Sequence, residues 1–410
     1  MGVSSTLAVK PVQTREDYKA FVDLPWQVPQ DRQMVRPMRE FERHLFDRGR
    51  RFRGSLSLSA QLDVMFLGKE NPFYEHGDLE MFLARDAGRP IARIAAIQNH
   101  LHNEWNHDQV GFFGFYQCTD GGEAGRAATR ALVDAASEWL GNRGLTSMRG
   151  PFNPTINDDC GIWTDGEVYP SFMMPSNPRY YADHLKAAGL AAVKTLRVYR
   201  RDLRTVPESD WARWGRMADR VQRANKVTLR GANFKDLDSE VKSFLTIYNA
   251  AEEVANGWGF APMSFKELRS MAELFQYLID PNLIRAAEVE ENGQQKVVGA
   301  VISLPDLNEV LRSTGGRLLH PAMIWHLLRM KRGTPTNRIR VVFLGMLPEY
   351  RHTPASAMLL FDAMRMARTF GAQEVEGSWI SEDNPAMCKP MEDHGFQVTD
   401  RYVIFERPLR

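Results

Sequence analysis

Residues 343–358, FLGMLPEYRHTPASAM, read as a buried strand, a short turn and the start of a helix. The turn sets Arg351, His352 and Thr353 ahead of Pro354. Two potential cations at a helix start suit an anion, because the first helical turn has N–H groups without helical partners and the positive end of the dipole. Proline is favoured at the first helical position, and Thr353 is a natural cap. The N–H groups of Ala355, Ser356 and Ala357 can then meet a phosphate, with Arg351 and His352 adding charge-assisted contacts. The plain alternative is a well-capped helix after a strand, and the turn alone does not separate the two.

A second polar concentration is NPTINDDCG, residues 153–161, with Asn153, Asn157, Asp158 and Asp159 in a loop running from 153 to 178. Such a loop can hold an amine head group, with Asp158 or Asp159 as base or ammonium partner, or it can be an Asx-turn-rich connection. A third is NHLHNEWNH, residues 99–107, with His100, His102 and His107 near Glu104. An HxH pair can chelate a metal, but on a hairpin tip it is commonly just solvated, so no metal is expected. His102 is kept as a candidate acid–base group.

The chain that must position these residues has 410 of them, 43% hydrophobic and 25% charged, which suits two globular domains. With 52 basic against 51 acidic residues, no global field invites nucleic acid. Cys118, Cys160 and Cys388 are far apart and form no CxxC pair, so a reducing cytoplasm is expected rather than disulfides or a thiolate zinc site. No signal peptide is read at the N-terminus, and no apolar run approaches the length of a membrane span.

In the first half the patterning predicts a strand at 6–12, a Thr-capped helix at 14–29 and a basic helix at 36–54. A hairpin at 78–98, a polar turn at 99–108, a strand at 109–118, a helix at 121–144 and a strand at 145–152 follow. After the loop come a helix at 179–189 and a strand at 191–203. The second half repeats the order: helix 239–254, hairpin 283–305 around Asn-Gly, strand 338–348, helix 353–372, strand 374–380, helix 384–396 and strand 401–407. The segments align piece by piece, GFFGFYQC with VVFLGMLP and WLGNRGLTSMRG with ARTFGAQEVEGS, so the chain is an internal repeat. The expected domains are 1–203 and 204–410.

This order resembles the GNAT superfamily of acyl-CoA N-acyltransferases as a tandem pair. Narrower phrases, among them NPFYEH (71–76), RGPFNPTINDDCG (149–161), NGWGFAPM (256–263) and EGSWISEDNPAM (376–387), resemble the group that includes the bacterial ceramide synthases. The resemblance implies an α/β (α+β) fold of two GNAT-like domains, each a mostly antiparallel mixed sheet flanked by helices. It implies acyl-CoA or an acyl carrier protein thioester as co-substrate, no metal, and transfer of a fatty acyl group to the amine of a sphingoid-type base. The family's carrier loop falls on Arg351, His352, Thr353, Ala355, Ser356 and Ala357. Its signature glycines are replaced by Pro354 and Ser356, and Asp120 and Glu123 oppose an anion in the first copy. Leu344 and Met346 would line the acyl path where two strands splay. Glu376, and Glu382 or Asp383 just after it, are the carboxylates near enough to serve as base, or else a solvated strand face and a helix cap.

The family's usual acidic tyrosine is Met391 here and Leu185 in the first copy, leaving Tyr180 and Tyr181 as substitutes. Asn153, Asn157, Tyr180, Tyr181 and Trp258 are the expected acceptor contacts. Small-molecule lipids are the expected partners, with an acyl carrier protein, no nucleic acid, and a cytoplasmic location touching the inner membrane face through the basic stretch 36–53. A FemABX-like aminoacyl transferase and a non-catalytic acyl-CoA-binding protein stand as alternatives.

Overall fold

The computed structural model describes residues 7–29, 34–37, 42, 46, 71–166, 168–225, 227–250, 262–317, 320–331, 336–351, 353 and 355–409. Trp258, His352, Pro354 and most of the basic stretch 36–53 lie outside the described residues. The chain forms two compact units. Unit 1 comprises Met1–Leu196, Leu311–His320 and Asp400–Arg410, and unit 2 comprises Arg197–Val310 and Pro321–Thr399.

Unit 1 opens with β1 (Ala8–Pro11) and α1 (Arg15–Asp23), which starts at a capping box between Thr14 and Asp17. The hairpin of β2 (Gly77–Asp86) and β3 (Arg89–Asn99) turns at Ala87 and Gly88, both at positive φ. Next come α2 (His100–Asn106), β4 (Val110–Cys118), α3 (Glu123–Gly141) and β5 (Ser147–Gly150). The short strands β6 (Phe152–Asn153), β7 (Asp159–Cys160) and β8 (Ile162–Asp165) precede α4 (Tyr180–Ala187) and β9 (Ala191–Asp202). Sheet order in this unit is β1-β2-β3-β4-β5, continued by residues 400–408 of the last strand of the chain. Helix α3 buries Ala128, Leu132, Val133, Ala136 and Leu140 in a core with Ile94, Phe113 and Met148, the amphipathic face its spacing predicts.

Two expectations change here. The polar turn at 99–108 is the helix α2, because the Asn99 side chain caps the His102 N–H at 3.1 Å and His107 closes the helix in the left-handed conformation. The loop after residue 153 holds the strands β6, β7 and β8.

Unit 2 carries α5 (Glu208–Asn225), β10 (Val227–Gly231), α6 (Leu237–Ala250), α7 (Phe265–Leu278), β11 (Ile284–Glu291), β12 (Gln294–Pro305) and the first turn of α8 (Asn308–Thr314). It continues with α9 (Pro321–Lys331), β13 (Arg338–Met346), α10 (Ala355–Thr369), β14 (Glu374–Ser381), α11 (Pro385–Asp393) and the start of β15 (Gln397–Pro408). Its sheet order is β9-β14-β13-β12-β11-β10, with residues 197–202 of β9 at one edge. The β11–β12 hairpin turns at Asn292 and Gly293, both at positive φ, as the Asn-Gly pair predicts. Helix α10 lays Met358, Leu359, Ala363, Met364 and Ala367 on the sheet. Helices α7 and α9 have no counterpart among the elements expected from the sequence. Among the described residues no helix is long and apolar enough to cross a membrane.

The repeat is visible in both units as hairpin, strand, helix, parallel strand. In unit 1, β4 and β5 pair in parallel over Val110–Phe112 and Ser147–Arg149. The chain then stays against β4. The Phe152 carbonyl packs on Gly114, and the Asn153 side chain accepts a 2.6 Å hydrogen bond from the Phe115 N–H. The space beside β4 is thus filled by the protein's own backbone. A Cβ on Gly114 would lie 1.7 Å from the Phe152 oxygen, a backbone atom that cannot swing aside. Gly114→Ala should therefore cost about 2 kcal/mol or more and lower the denaturant midpoint. A wild-type midpoint would contradict this packing.

A candidate active site in the second unit

The equivalent pair in unit 2 ends differently. Strands β13 and β14 run parallel only over Arg338–Val341 and Glu374–Gly377. On the other side of β13 the ladder with β12 slips at Val342, since Ile302 faces Phe343 while Ser303 faces Val341. Such a bulge bends its strand and increases the local twist. Beyond this point β13 and β14 part around a cavity of about 210 Å³. Its walls are Val342, Phe343 and Leu344 of β13, and Ser378, Trp379, Ile380 and Ser381 of β14. Met387 and Met391 of α11 close one side with Phe396, and Asn384 stands at the helix start. The lining is largely apolar and includes adaptable thioethers, which suits a flexible hydrocarbon chain.

A buried charge ladder holds the paired part together. Arg338 Nε lies 3.0 Å from Glu374 Oε2, its strand partner, and Arg338 Nη1 lies 3.4 Å from Asp306. Arg340 Nε donates to Ser378 Oγ at 2.8 Å and stands 3.9 Å from Glu376, its own strand partner. Arg200 of β9 donates to Glu376 Oε2 at 2.8 Å, and Ser378 Oγ donates to Oε1 at 2.9 Å. Arg340 also sits 4.8 Å from the ring centre of Trp379, a wall of the cavity. Glu376 is fully buried and does not line the cavity. The solvated strand face expected as its alternative role is therefore corrected. Both oxygens are engaged, so the carboxylate fastens strands rather than offering itself to a substrate amine.

Glu382 is exposed just past the cavity mouth, 3.8 Å from Arg197 Nη2. Leu344 lines the cavity, whereas Met346 is buried at the end of β13 with its carbonyl accepting from Arg351 Nε at 3.1 Å. Arg351 also donates to the Ala250 carbonyl. Thr353 Oγ1 accepts from the Ala355 N–H at 3.3 Å, and the Thr353 carbonyl accepts from Ser356 N at 3.5 Å, so Thr353 is the expected cap. Ala355 is buried, Ser356 half-buried and Ala357 exposed.

The unit 1 candidates are engaged within the fold. Asp158 accepts from Thr155 Oγ1 at 2.8 Å, and Asn157 N–H donates to the same hydroxyl, a local turn. Asp159 pairs with Asn153 in the β6–β7 ladder. His102 is buried, with Nε2 3.5 Å from Asp108 and its ring edge-on to Phe112. Tyr180 OH donates to the Cys118 carbonyl at 2.8 Å, and Tyr181 OH accepts from Cys118 N at 2.8 Å. Just ahead of α3 the Asp120 carboxylate accepts from the N–H of Gly122, the residue before the helix.

Val342, Phe343, Ser378, Trp379, Ile380, Ser381 and Met387 escaped the sequence reading as site residues. The alternation of SWIS and the two methionines of α11 were the available signals. Met391, at the expected tyrosine position, brings a thioether to the cavity. Tyr199 reaches the base of α11 and donates to Glu392 at 3.0 Å. Burial and the neighbouring Cys388 raise its pKa to about 12, so it keeps its proton at neutral pH.

Burial lifts the Asp306 carboxyl to about 7 against the opposing pull of Arg338, with Glu376 pushing the same way as burial. The folded chain then holds this proton to higher pH than the unfolded chain, so Asp306 makes stability fall as pH rises from 3.8 to about 7. Asp306→Asn should flatten that slope in denaturation midpoints, and an unchanged slope would contradict the assignment. Glu376→Ala should cost about 3–5 kcal/mol, because it strands two buried guanidinium groups. Chemical denaturation reads this directly, and a loss under about 1 kcal/mol would show that the ladder is not structural.

No family model matches the chain. It is 28% identical to a bacterial ceramide synthase of Caulobacter vibrioides over 99% of this chain and 98% of that one. It is 29% identical to protein YghO of Escherichia coli K12, over 84% of this chain and 85% of the other. Among solved structures, a tandem GNAT protein from the clavulanic acid biosynthesis pathway superposes with a TM-score of 0.52 at 13% identity, covering 98% of this chain and 99% of that one. A GCN5-related glucosamine N-acetyltransferase region of a fungal β-N-acetylglucosaminidase gives 0.55 at 12% identity, over 99% of this chain and 38% of the other. The chain thus has the fold of a tandem GNAT protein and is similar over nearly its whole length to a bacterial ceramide synthase.

Proposed function

We propose that the chain is an N-acyltransferase that moves a fatty acyl group from a thioester of CoA or acyl carrier protein to the amine of a sphingoid-type long-chain base, and that unit 2 holds the thioester. The observation that carries this reading is the parting of β13 and β14 into an apolar cavity beside the start of α10. In unit 1 the corresponding space is filled by Phe152 and Asn153, and the Asp120 carboxylate, bonded to the Gly122 N–H, places negative charge beside the corresponding helix start.

In the reaction the amine nitrogen bonds to the thioester carbonyl carbon, the carbon–sulfur bond breaks, the nitrogen loses a proton and the sulfur gains one. The acyl chain lies among Phe343, Ile380, Met387 and Met391, where burying each CH₂ contributes about 0.8 kcal/mol. Backbone N–H groups of the bulged segment Val342–Leu344 meet the carbonyl oxygen and stabilise the charge that develops there. The carrier phosphates meet the start of α10, with Arg351 turning from its carbonyl contacts and the N–H group of Ala357 facing them. Glu382 at the mouth takes the amine proton, directly or through water. Met391 supplies no proton, so solvent protonates the thiolate.

Purified protein incubated with palmitoyl-CoA and sphinganine or 3-ketosphinganine should release free thiol and form the amide. If no amide forms with CoA or carrier-protein thioesters across several chain lengths, the lipid assignment fails. Arg351→Ala should raise KM for the thioester roughly tenfold while sparing kcat, the signature of lost uniform binding. An unchanged KM would remove the carrier from this turn.

A further inference from the structure

Helix α9, Pro321–Lys331, is apolar on two opposite faces. Met323 is fully buried, and His326, Leu327 and Met330 are half-buried, a stripe at i, i+3, i+4 and i+7 that seats the helix. The outward stripe has the same spacing: Pro321, Ile324, Trp325 and Leu328. Ile324 is 46% exposed, Trp325 59% and Leu328 47%. A surface helix ordinarily turns polar residues outward, and one that is apolar all round is ordinarily covered.

Charge indicates what covers it. Between Glu309 and Glu349 the sequence has no acidic residue, although the whole chain is balanced at +1. The helix carries Arg329, and the sequence runs on through Lys331 and Arg332. The Arg329 guanidinium lies 4.6 Å from the Trp325 ring centre, so the cation and the indole share one exposed face. A second copy of the chain would set these cations against themselves across a two-fold axis. A bilayer of anionic phospholipid satisfies both features, with acyl chains for Ile324, Trp325 and Leu328 and phosphates for Arg329 beside the indole.

We propose that α9 is a membrane-docking helix that lies in the interface of an anionic phospholipid bilayer. Its use in collecting a lipid substrate rests on the function proposed above, but the surface itself does not.

The test is sedimentation of the full chain with phosphatidylglycerol-rich vesicles and with phosphatidylcholine vesicles. The anionic vesicles should carry the protein down, more weakly at high salt. The variant Ile324→Ser/Trp325→Ser/Leu328→Ser should lose binding by about tenfold or more, and Arg329→Gln/Lys331→Gln/Arg332→Gln should lose the preference for anionic lipid. Circular dichroism checks that both variants stay folded. A wild-type chain left in the supernatant overturns the proposal, as does an apolar variant that binds undiminished. A wild-type dimer that the apolar variant turns into a monomer, with vesicle binding unaltered, assigns the face to a second copy and also overturns it. Turnover of a short-chain, micelle-free amine and acyl-CoA is measured alongside. Its absence in the wild type would count against the proposed function and leave the vesicle result standing.

Discussion

Two strands of unit 2 carry matched charge alternation, Arg-Ile-Arg at 338–340 and Glu-Val-Glu at 374–376, and the parallel register sets each arginine beside its glutamate. Arg200 extends the set at one end beside Glu376, and Asp306 stands at the other beside Arg338. Opposite charges in a buried environment tolerate no slip. A shift of one residue would turn the arginines toward the wrong face and leave ions unpaired at several kcal/mol each. The ladder therefore fixes where pairing stops. The cavity opens at the next residue, with the Val342 bulge on one side and Ser378 on the other. Ser378 belongs to both, hydrogen-bonding Glu376 and lining the cavity, so the proposed acyl site rests on the same atoms that set the register.

Unit 1 shows what the same architecture becomes without that ladder. Its parallel pair holds Val110, Gly111 and Phe112 against Ser147, Met148 and Arg149, and Arg149 turns to Glu406 at 2.5 Å. The chain after β5 stays against β4 instead of departing, and two tyrosines lock the strand end at Cys118. One copy keeps an opening and the other spends the equivalent space on packing.

Much of this was legible in the sequence because it is local. The hairpins carry their turn residues, α1 carries its capping box and α3 its apolar stripe, and the repeat follows from their order. What escaped is non-local or short. At 100–106 only Leu101 and Trp105 are apolar, too short a pattern to mark a period, so a helix capped by Asn99 reads as a loop. Glu376 looks like a base or a solvated side chain until Arg200, far away in sequence, is placed beside it. The cavity walls are ordinary apolar residues whose only distinction is that two strands part between them. The turn at Arg351 was found by its residue types, but its guanidinium is tied to main-chain carbonyls of Met346 and Ala250, contacts that no local pattern announces.

The central claim is that the acyl thioester occupies the opening between β13 and β14. A photoreactive acyl-CoA, crosslinked to the full chain and mapped by mass spectrometry, tests it most directly. The account predicts labels on 341–344, 378–381 and 387–396, competed away by palmitoyl-CoA. Labels concentrated on 110–118 and 147–160 instead would place the acyl chain in the first unit and contradict it.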